Sequence, residues 1–237
     1  MYYGIDWTYL VLVLPCVIFS LIASSNVNST FQKYSTQHSR RGLTGAEAAR
    51  RVLAHNGVTG VRIERVAGNL TDHYDPTTNV IRLSDSVYSS TSTAAIGVAA
   101  HEAGHAVQYA RDYAPIKLRA AIIPITNFGS KLALPLILAG ILLTALGDLS
   151  TILVYLGIAA FSLSFVFQVI TLPVEFNASR RAIRAIDEAQ LLTDEERRGA
   201  QKTLKAAAMT YVAAMAVSLA QLLRLMLLYG RRNNRRR

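Results

Sequence analysis

The segment from Leu134 to Phe167, LPLILAGILLTALGDLSTILVYLGIAAFSLSFVF, decides the fold class of this chain. Asp148 is its only charged residue, and the polar break Gly147-Asp148-Leu149-Ser150 divides it. A helix needs about 20 apolar residues to cross a bilayer. The segment therefore predicts the centre of a helical hairpin whose two spans cover about 120–146 and 151–172. Such a hairpin returns the chain to the side of the membrane on which it started.

Two further stretches are apolar enough to span, Trp7–Ser24 and Ala206–Gly230. Over all 237 residues, 51% are apolar and 17% charged, and the mean hydropathy is +0.28. A soluble domain carries about 25% charged residues, so the composition excludes a disordered chain and argues against a wholly soluble one. We expect a mainly α membrane protein of about four transmembrane helices with a small α+β region.

The chain accordingly divides into six predicted segments. They are an N-terminal transmembrane anchor (1–25), a polar α+β region (26–119), a transmembrane hairpin (120–172), a polar helical region (173–205), a fourth apolar helix (206–230) and a basic tail (231–237). No basic residue precedes Trp7, which favours a retained anchor over a signal peptide. Ala23-Ser24-Ser25 leaves cleavage open.

The charge distribution predicts the orientation. The chain has 25 Lys and Arg against 15 Asp and Glu, and most basic residues near the spans belong to the two polar regions. The positive-inside rule then places a multi-pass protein in the cell membrane with both polar regions in the cytoplasm. The arginine tail conflicts with this, so either the last helix does not cross or the orientation is inverted. The basic flanks favour anionic lipid headgroups as partners; without an aromatic-basic motif, we expect no nucleic acid.

Local signals within the first polar region predict its elements. Thr44 and Glu47 form a capping box that opens a helix ending near His55. Val58–Val66 and Asn79–Leu83 favour short strands. The second of these is either a plain edge strand or a strand that pairs with an extended peptide substrate. Ala94–Ala110 is expected to be an Ala/Val-rich helix.

That last helix carries His101-Glu102-Ala103-Gly104-His105. Residues four apart lie on one face of a helix, so both imidazoles can reach one ion. Cys16 is the only cysteine, which excludes a disulfide framework and a multi-cysteine zinc cluster. Imidazole nitrogen suits zinc, which lowers the pKa of bound water towards 7, and Glu102 stands where it can accept the proton of that water.

A third ligand is needed, and Glu175 is the best candidate. Pro173 is expected to start a new helix where the third span ends, with Glu175 early in it. The hairpin returns Glu175 to the side of His101 and His105. The alternative is that Glu175 only stabilises a helix N-terminus.

Five motifs spread over nearly the whole chain resemble those of the YugP-like neutral zinc metallopeptidases, membrane gluzincins related to the HtpX-like and CAAX prenyl proteases. These motifs are DHYDP (72–76), IRLS (81–84), VAAHEAGHAVQ (98–108), LPVEFNASRRA (172–182) and AAAMTYVAA (206–214). The resemblance implies a zinc metalloendopeptidase whose small cytoplasmic α+β region, with its short strands and HExxH helix, is zincin-like. It also implies one Zn²⁺ per chain, held by His101, His105 and Glu175, with Glu102 as the catalytic base. HtpX-like relatives have Asp at the position of Ser179, so Ser179 or Asn177 is expected to orient an imidazole here.

Three other residues are weaker candidates for substrate or transition-state contacts. His73 or Tyr74 could donate a hydrogen bond to the oxyanion, although a turn explains Asp75-Pro76 equally well. Arg224 could face the substrate, or its side chain could extend to the membrane interface.

Three functions fit the sequence. The first is a membrane-embedded zinc endopeptidase that cleaves a peptide or a membrane protein near the bilayer surface. The second is a catalytically silent, zinc-containing membrane adaptor or chaperone, for which Glu102 would be unnecessary. The third is a site-2-type protease that cuts within the bilayer. It would need an intramembrane aspartate ligand, and Asp148 lies in the hairpin turn.

Overall fold

The computed structural model of the chain describes residues 6–234. Residues 1–5 of the expected anchor and 235–237 of the basic tail lie outside this range. After a π-helical turn (Tyr9–Val13), the α-helices are α1 (Leu14–Ser35), α2 (Gly45–His55), α3 (Asp85–Tyr88), α4 (Thr93–Ala110), α5 (Ala114–Leu142), α6 (Asp148–Glu188) and α7 (Asp194–Asn234). The strands are β1 (Arg62–Val66), β2 (His73–Asp75) and β3 (Val80–Ser84).

Four helical segments in the described part of the chain are long and apolar enough to cross a bilayer: Tyr9–Ser35, Ala114–Leu142, Asp148–Glu188 and Asp194–Tyr229. The helix α4 is not among them. With the small three-stranded sheet, these helices confirm the predicted fold class, a mainly α membrane protein with a small α+β region.

The chain forms two compact units. The first, here the apolar unit, contains the residues up to Ile22, Leu118–Leu172 and the residues from Tyr211 onward. The second, here the polar unit, contains Ala23–Lys117 and Pro173–Thr210. All the candidate metal ligands fall in the polar unit.

In the apolar unit, α5 and α6 form the expected hairpin. Its turn lies slightly before the expected position, at residues 143–147, and Gly147 has a φ of +57° there. Glycines let the two helices approach closely: a Cβ on Gly157 would lie 2.9 Å from the carbonyl oxygen of Ala133. Large apolar side chains such as Phe128 and Leu142 point outward, as expected of helices that face lipid.

Arg224 connects the last helix to the start of the first helix within this unit. Its Nε lies 3.0 Å from Oδ2 of Asp6, and its guanidinium lies over the ring of Tyr9. The C-terminal part of α7 therefore lies beside the N-terminal end of the first span.

The polar unit has a core of small and branched apolar side chains around α4. Ser92 caps this helix by accepting a hydrogen bond from the Ala95 amide. In α2, the predicted capping box is confirmed: Glu47 N–H donates to Thr44 Oγ1, and Thr44 N–H donates to Glu47 Oε2. The core thus positions α4 through well-capped helices.

The strand order is β1-β3-β2, with β3 parallel to β1 and antiparallel to β2. The expectation that Asn79–Leu83 is an edge strand is therefore wrong. Both of its edges are already paired, and Val80, Ile81 and Leu83 are fully buried, which explains why the sequence there is mostly apolar. A peptide substrate cannot add to this strand.

Pro173 does not start a helix, because α6 continues through it from Asp148 to Glu188. A proline inside a helix removes one backbone hydrogen bond, which long membrane helices tolerate. Glu175 accordingly lies in the interior of a helix and not at an N-terminus. The helix-dipole explanation of Glu175 is thereby excluded.

Candidate metal centre

The helix α4 presents two imidazoles on one face. His101 and His105 lie one turn apart, with ring centroids 4.6 Å from each other and ring planes at 83°. Their side chains are 14% and 11% exposed. Two nearly buried histidines side by side need polar partners, because an unpaired buried imidazole is costly.

Glu175 supplies a carboxylate to both rings from α6. Its Oε2 lies 3.2 Å from His101 Nε2 and 3.6 Å from His105 Nε2. One potential ligand atom from each of the three residues lies within 4.8 Å of the others. The Glu175 side chain is only 3% exposed. The structure thus brings together the three residues that the sequence analysis named as ligands.

The other nitrogen of each ring has its own partner. Nδ1 of His101 lies 3.1 Å from Ser179 Oγ, and Nδ1 of His105 lies 3.0 Å from Gln108 Oε1. Since an amide oxygen only accepts, Nδ1 of His105 carries the proton. Both Nε2 atoms lie toward Glu175, so they are the ring nitrogens that a metal ion held by this carboxylate would bind.

Gln108 is the residue that the sequence analysis missed. It is fully buried, and its Nε2 donates to the Val174 carbonyl at 2.8 Å and to Asn177 Oδ1 at 3.0 Å. These bonds fix the amide so that its oxygen points at His105. Asn177, expected to orient an imidazole, instead holds Gln108. The sequence contains one signal for this role of Gln108. Gln108 stands three residues after His105 and therefore lies on the same face of the helix.

A glycine permits the close approach of α4 and α6. A Cβ on Gly104 would lie 2.7 Å from the backbone carbonyl oxygen of Ala178, a distance that real Cβ atoms do not occupy. Packing therefore requires glycine at the position just before His105 in the motif. Without this contact, Glu175 would stand farther from the imidazoles.

The electrostatic field of the site is negative. Burial by itself would lower the pKa of His105, but the hydrogen bond with Glu175 and the charge of Glu102 outweigh it and raise that pKa. Burial raises the pKa of the Asp72 carboxyl despite hydrogen bonds from the Ser84 amide and hydroxyl, and Glu102 adds to that rise. Such a field attracts a cation.

Glu102 lies between the two histidines in sequence and is 8% exposed. Within residues 6–234, no hydrogen bond or ion pair engages its carboxylate. Its charge acts on the neighbouring imidazole of His105.

The remaining candidates have other partners, although the ring of Tyr74 lies 5.6 Å from that of Tyr109 in α4. His73 is exposed on β2, and its Nδ1 bonds the Thr71 carbonyl at 2.9 Å. Tyr74 donates its hydroxyl to Asn79 Oδ1 at 2.8 Å. Arg224 pairs with Asp6 in the apolar unit. Among the described residues, no hydrogen bond or ion pair joins His73, Tyr74 or Arg224 to His101 or His105, and their substrate roles stay predictions.

Two imidazole nitrogens and one carboxylate oxygen, all directed at one point, form a donor set that suits zinc in a catalytic site. The model for the family described as "Putative neutral zinc metallopeptidase" matches residues 9–230 of the chain. The chain belongs to this family. Its membership confirms the resemblance seen in the five motifs, and it implies zinc as the metal.

A relative from Bacillus subtilis (strain 168), named "Putative membrane protease YugP", is 46% identical over 228 residues. The match covers 95% of this chain and 99% of the relative. No solved structure matches the chain. The match to the zinc metallopeptidase family thus covers nearly the full length of the chain, including the apolar helices as well as the three metal-ligand candidates.

Proposed function

We propose that this zinc metallopeptidase is a membrane-embedded endopeptidase of the gluzincin type that hydrolyses peptide bonds near the bilayer surface. The observation that carries the proposal is the convergence of His101, His105 and Glu175, with both histidine Nε2 atoms facing the carboxylate. The relative's printed name, a membrane protease, supports the same conclusion.

His101 and His105 would hold one zinc ion per chain through Nε2, and Glu175 through a carboxylate oxygen. Their preorganisation fits this role: Ser179 and Gln108 fix the rings, and the packing of Gly104 against Ala178 fixes the helix that carries Glu175. Zinc, when bound, supplies a Lewis acid that polarises the scissile carbonyl and makes water acidic near neutral pH.

Glu102 would act as the general base. Its carboxylate has no competing partner in the described residues, so it can accept a proton from the attacking water. It would then pass that proton to the leaving amine nitrogen, which must be protonated before it departs. A silent adaptor with a structural metal would not need this carboxylate.

The position of α4 argues against cleavage inside the bilayer. In the part of the chain that the structure describes, α4 is not a candidate span, and Asp148 begins α6 at the hairpin turn. The donor set therefore belongs to a polar unit attached to membrane helices.

The site is proposed to face the cytoplasm. The arginines and lysines that flank the spans on the side of the polar unit outnumber the five arginines of the tail, which supports this orientation under the positive-inside rule. The pairing of Arg224 with Asp6 supports a crossing last helix, which puts the tail on the opposite side.

The function is tested by Glu102→Gln, with the exposed Glu195→Gln as the matched control. The purified protein in detergent micelles is assayed for bound zinc and for cleavage of a peptide library. We expect Glu102→Gln to keep one zinc per chain and to lose activity by about 10²- to 10⁴-fold. The control should behave like the wild type. Full activity in Glu102→Gln would refute the role of Glu102, and zinc without activity in the wild type would favour the adaptor.

Orientation is tested separately in a Cys16→Ser background, which removes the only native cysteine. Leu149→Cys reports on the hairpin turn and Ala54→Cys on the polar unit; both positions are exposed. With a membrane-impermeant maleimide on intact cells, we expect Leu149→Cys to react and Ala54→Cys to react only after permeabilisation. The reverse pattern would place the site outside.

A further inference from the structure

An open cleft of about 350 Å³ lies between α1 and α7 in the polar unit, and none of the candidate metal ligands lines it. The helix α1 contributes Asn26, Thr30 and Lys33, at the spacing of one helix face. The helix α7 contributes Lys202 and Lys205, also on one face. The cleft therefore concentrates three ammonium groups from two helices.

These lysines lack the counter-charges that usually accompany such a cluster. Neither an aspartate nor a glutamate lines the cleft, and within residues 6–234 no ion pair engages Lys33, Lys202 or Lys205. Lys33 lies over the ring of Tyr34, 5.7 Å from its centroid. This ring is uncharged and does not neutralise the positive charge of the ammonium group. Three like charges around one cleft repel each other unless an anion enters.

The place of the cleft in the sequence indicates which anion. Asn26 follows the first apolar stretch, which ends at Ser24, and Ala206 opens the last one. The cleft is therefore formed by the segments that adjoin the ends of two apolar stretches, a place in the chain that favours contact with lipid headgroups. Its lining also includes Ala206 and Met209, which can contact the apolar part of a ligand.

We propose that this cleft binds the headgroup of an anionic phospholipid. The phosphate would accept hydrogen bonds from Lys33, Lys202 and Lys205. The polar side chains of Asn26 and Thr30 suit the glycerol and ester oxygens, and the acyl chains would continue along the apolar surface beyond Met209. The proposal rests on charge and position and is independent of the peptidase mechanism.

The test uses the full-length protein in a neutral detergent, titrated with dioleoyl phosphatidylglycerol and followed by native mass spectrometry. The variant replaces all three lysines by Gln. The control replaces three exposed arginines of the polar unit, Arg41, Arg50 and Arg51, by Gln, so that the change in net charge is identical. A second variant replaces the three lysines by Arg, which keeps the charge.

We expect one phosphatidylglycerol per wild-type chain. The Gln variant should bind about a hundredfold more weakly, since each basic side chain at the surface contributes about a fivefold effect. The arginine-substituted and control proteins should retain the lipid. Equal binding by the Gln variant, or loss in the arginine-substituted variant, would overturn the proposal.

Two ligand controls distinguish the source of the phosphate. Dioleoyl phosphatidylcholine, which has the same acyl chains and no net charge, should bind far more weakly. Soluble glycerol phosphate should not displace the lipid at equal concentration. Equal binding of phosphatidylcholine would show that only the acyl chains matter, and displacement by glycerol phosphate would identify a site for a soluble phosphate compound. Either result would refute a lipid headgroup site.

Discussion

The helices α4 and α5 are both rich in apolar residues, yet they occupy opposite environments. In α4, fourteen of the eighteen residues are buried by protein. In α5, Leu134 is 63% exposed and Phe128 is 69% exposed. The first lies in the polar unit and carries the histidines. The second is a candidate span of the apolar unit.

The difference lies in side-chain size. The helix α4 is built mainly from Ala, Gly and Val, so neighbouring backbones can come close, as Ala178 does at Gly104. The helix α5 contains Leu, Ile and Phe, which fill space outward and match lipid. An apolar helix of small residues is thus suited to a buried site that needs another helix within reach of its polar side chains.

The largest expected effect concerns Glu175, the candidate ligand that lies next to the histidines because α6 packs closely on α4. Glu175→Ala should weaken zinc affinity by more than about a hundredfold, because loss of a direct ligand exceeds the 10- to 100-fold effect of losing an outer partner. Zinc titration against a chelator measures it, with exposed Glu195→Ala as the control. Unchanged affinity would mean that the approach of α6 to α4 serves packing alone.

The next effect concerns ring orientation. Ser179→Ala should weaken zinc affinity or activity by about 10- to 100-fold, because Nδ1 of His101 loses its partner. Ser179→Asp should restore or strengthen binding, since a carboxylate is a better acceptor for Nδ1–H. Ser162→Ala, in the apolar half of α6, is the control. Equal affinities in all three variants would contradict a positioning role.

Packing itself is tested by Gly104→Ala in α4 against Leu134→Ala in α5. The added methyl group collides with the Ala178 carbonyl, so we expect a loss of about 1–3 kcal/mol in the free energy of unfolding. Leu134→Ala, at an exposed position, should change it by less than about 0.5 kcal/mol. A denaturing-detergent titration measures both. A larger loss from Leu134→Ala would reverse the comparison.

The smallest effect concerns α2, which packs against α4. Thr44→Ala removes the capping box and should lower the opening free energy of α2 by about 1 kcal/mol. Hydrogen bonds from Thr44 hold the pKa of Glu47 below its usual 4.5. This stabilisation is therefore complete above pH 4.5 and lost as the pH falls through the lowered value. Hydrogen exchange of α2 at pH 7 and pH 4 should show the difference between variant and wild type shrinking.

Much of this architecture follows from local patterns in the sequence. Length and hydropathy predict the spans, and the chain direction after a hairpin predicts that Glu175 returns to the side of His101. The capping box predicts the start of α2. These signals need only residue spacing and solvent preference.

Other features depend on tertiary contacts and could not be predicted from the sequence. The central position of β3 is set by the pairing of β1 and β2 on either side of it. Proline is common at the first position of a helix, so the sequence did not indicate that α6 continues through Pro173. Gln108 orients His105 because the Val174 carbonyl and Asn177 fix its amide, and both of these residues come from the distant helix α6. The spacing of residues along the chain does not indicate partners that are so distant in sequence.

Zinc K-edge X-ray absorption on the purified protein tests the central claim most directly. A centre built from His101, His105 and Glu175 requires two imidazole nitrogens at about 2.0–2.1 Å, carboxylate oxygen at about 2.0–2.2 Å and no sulfur. Glu175→Ala should remove an oxygen and leave both imidazoles. A sulfur shell near 2.3 Å, or a spectrum with fewer than two imidazoles, would place the metal elsewhere and contradict the account.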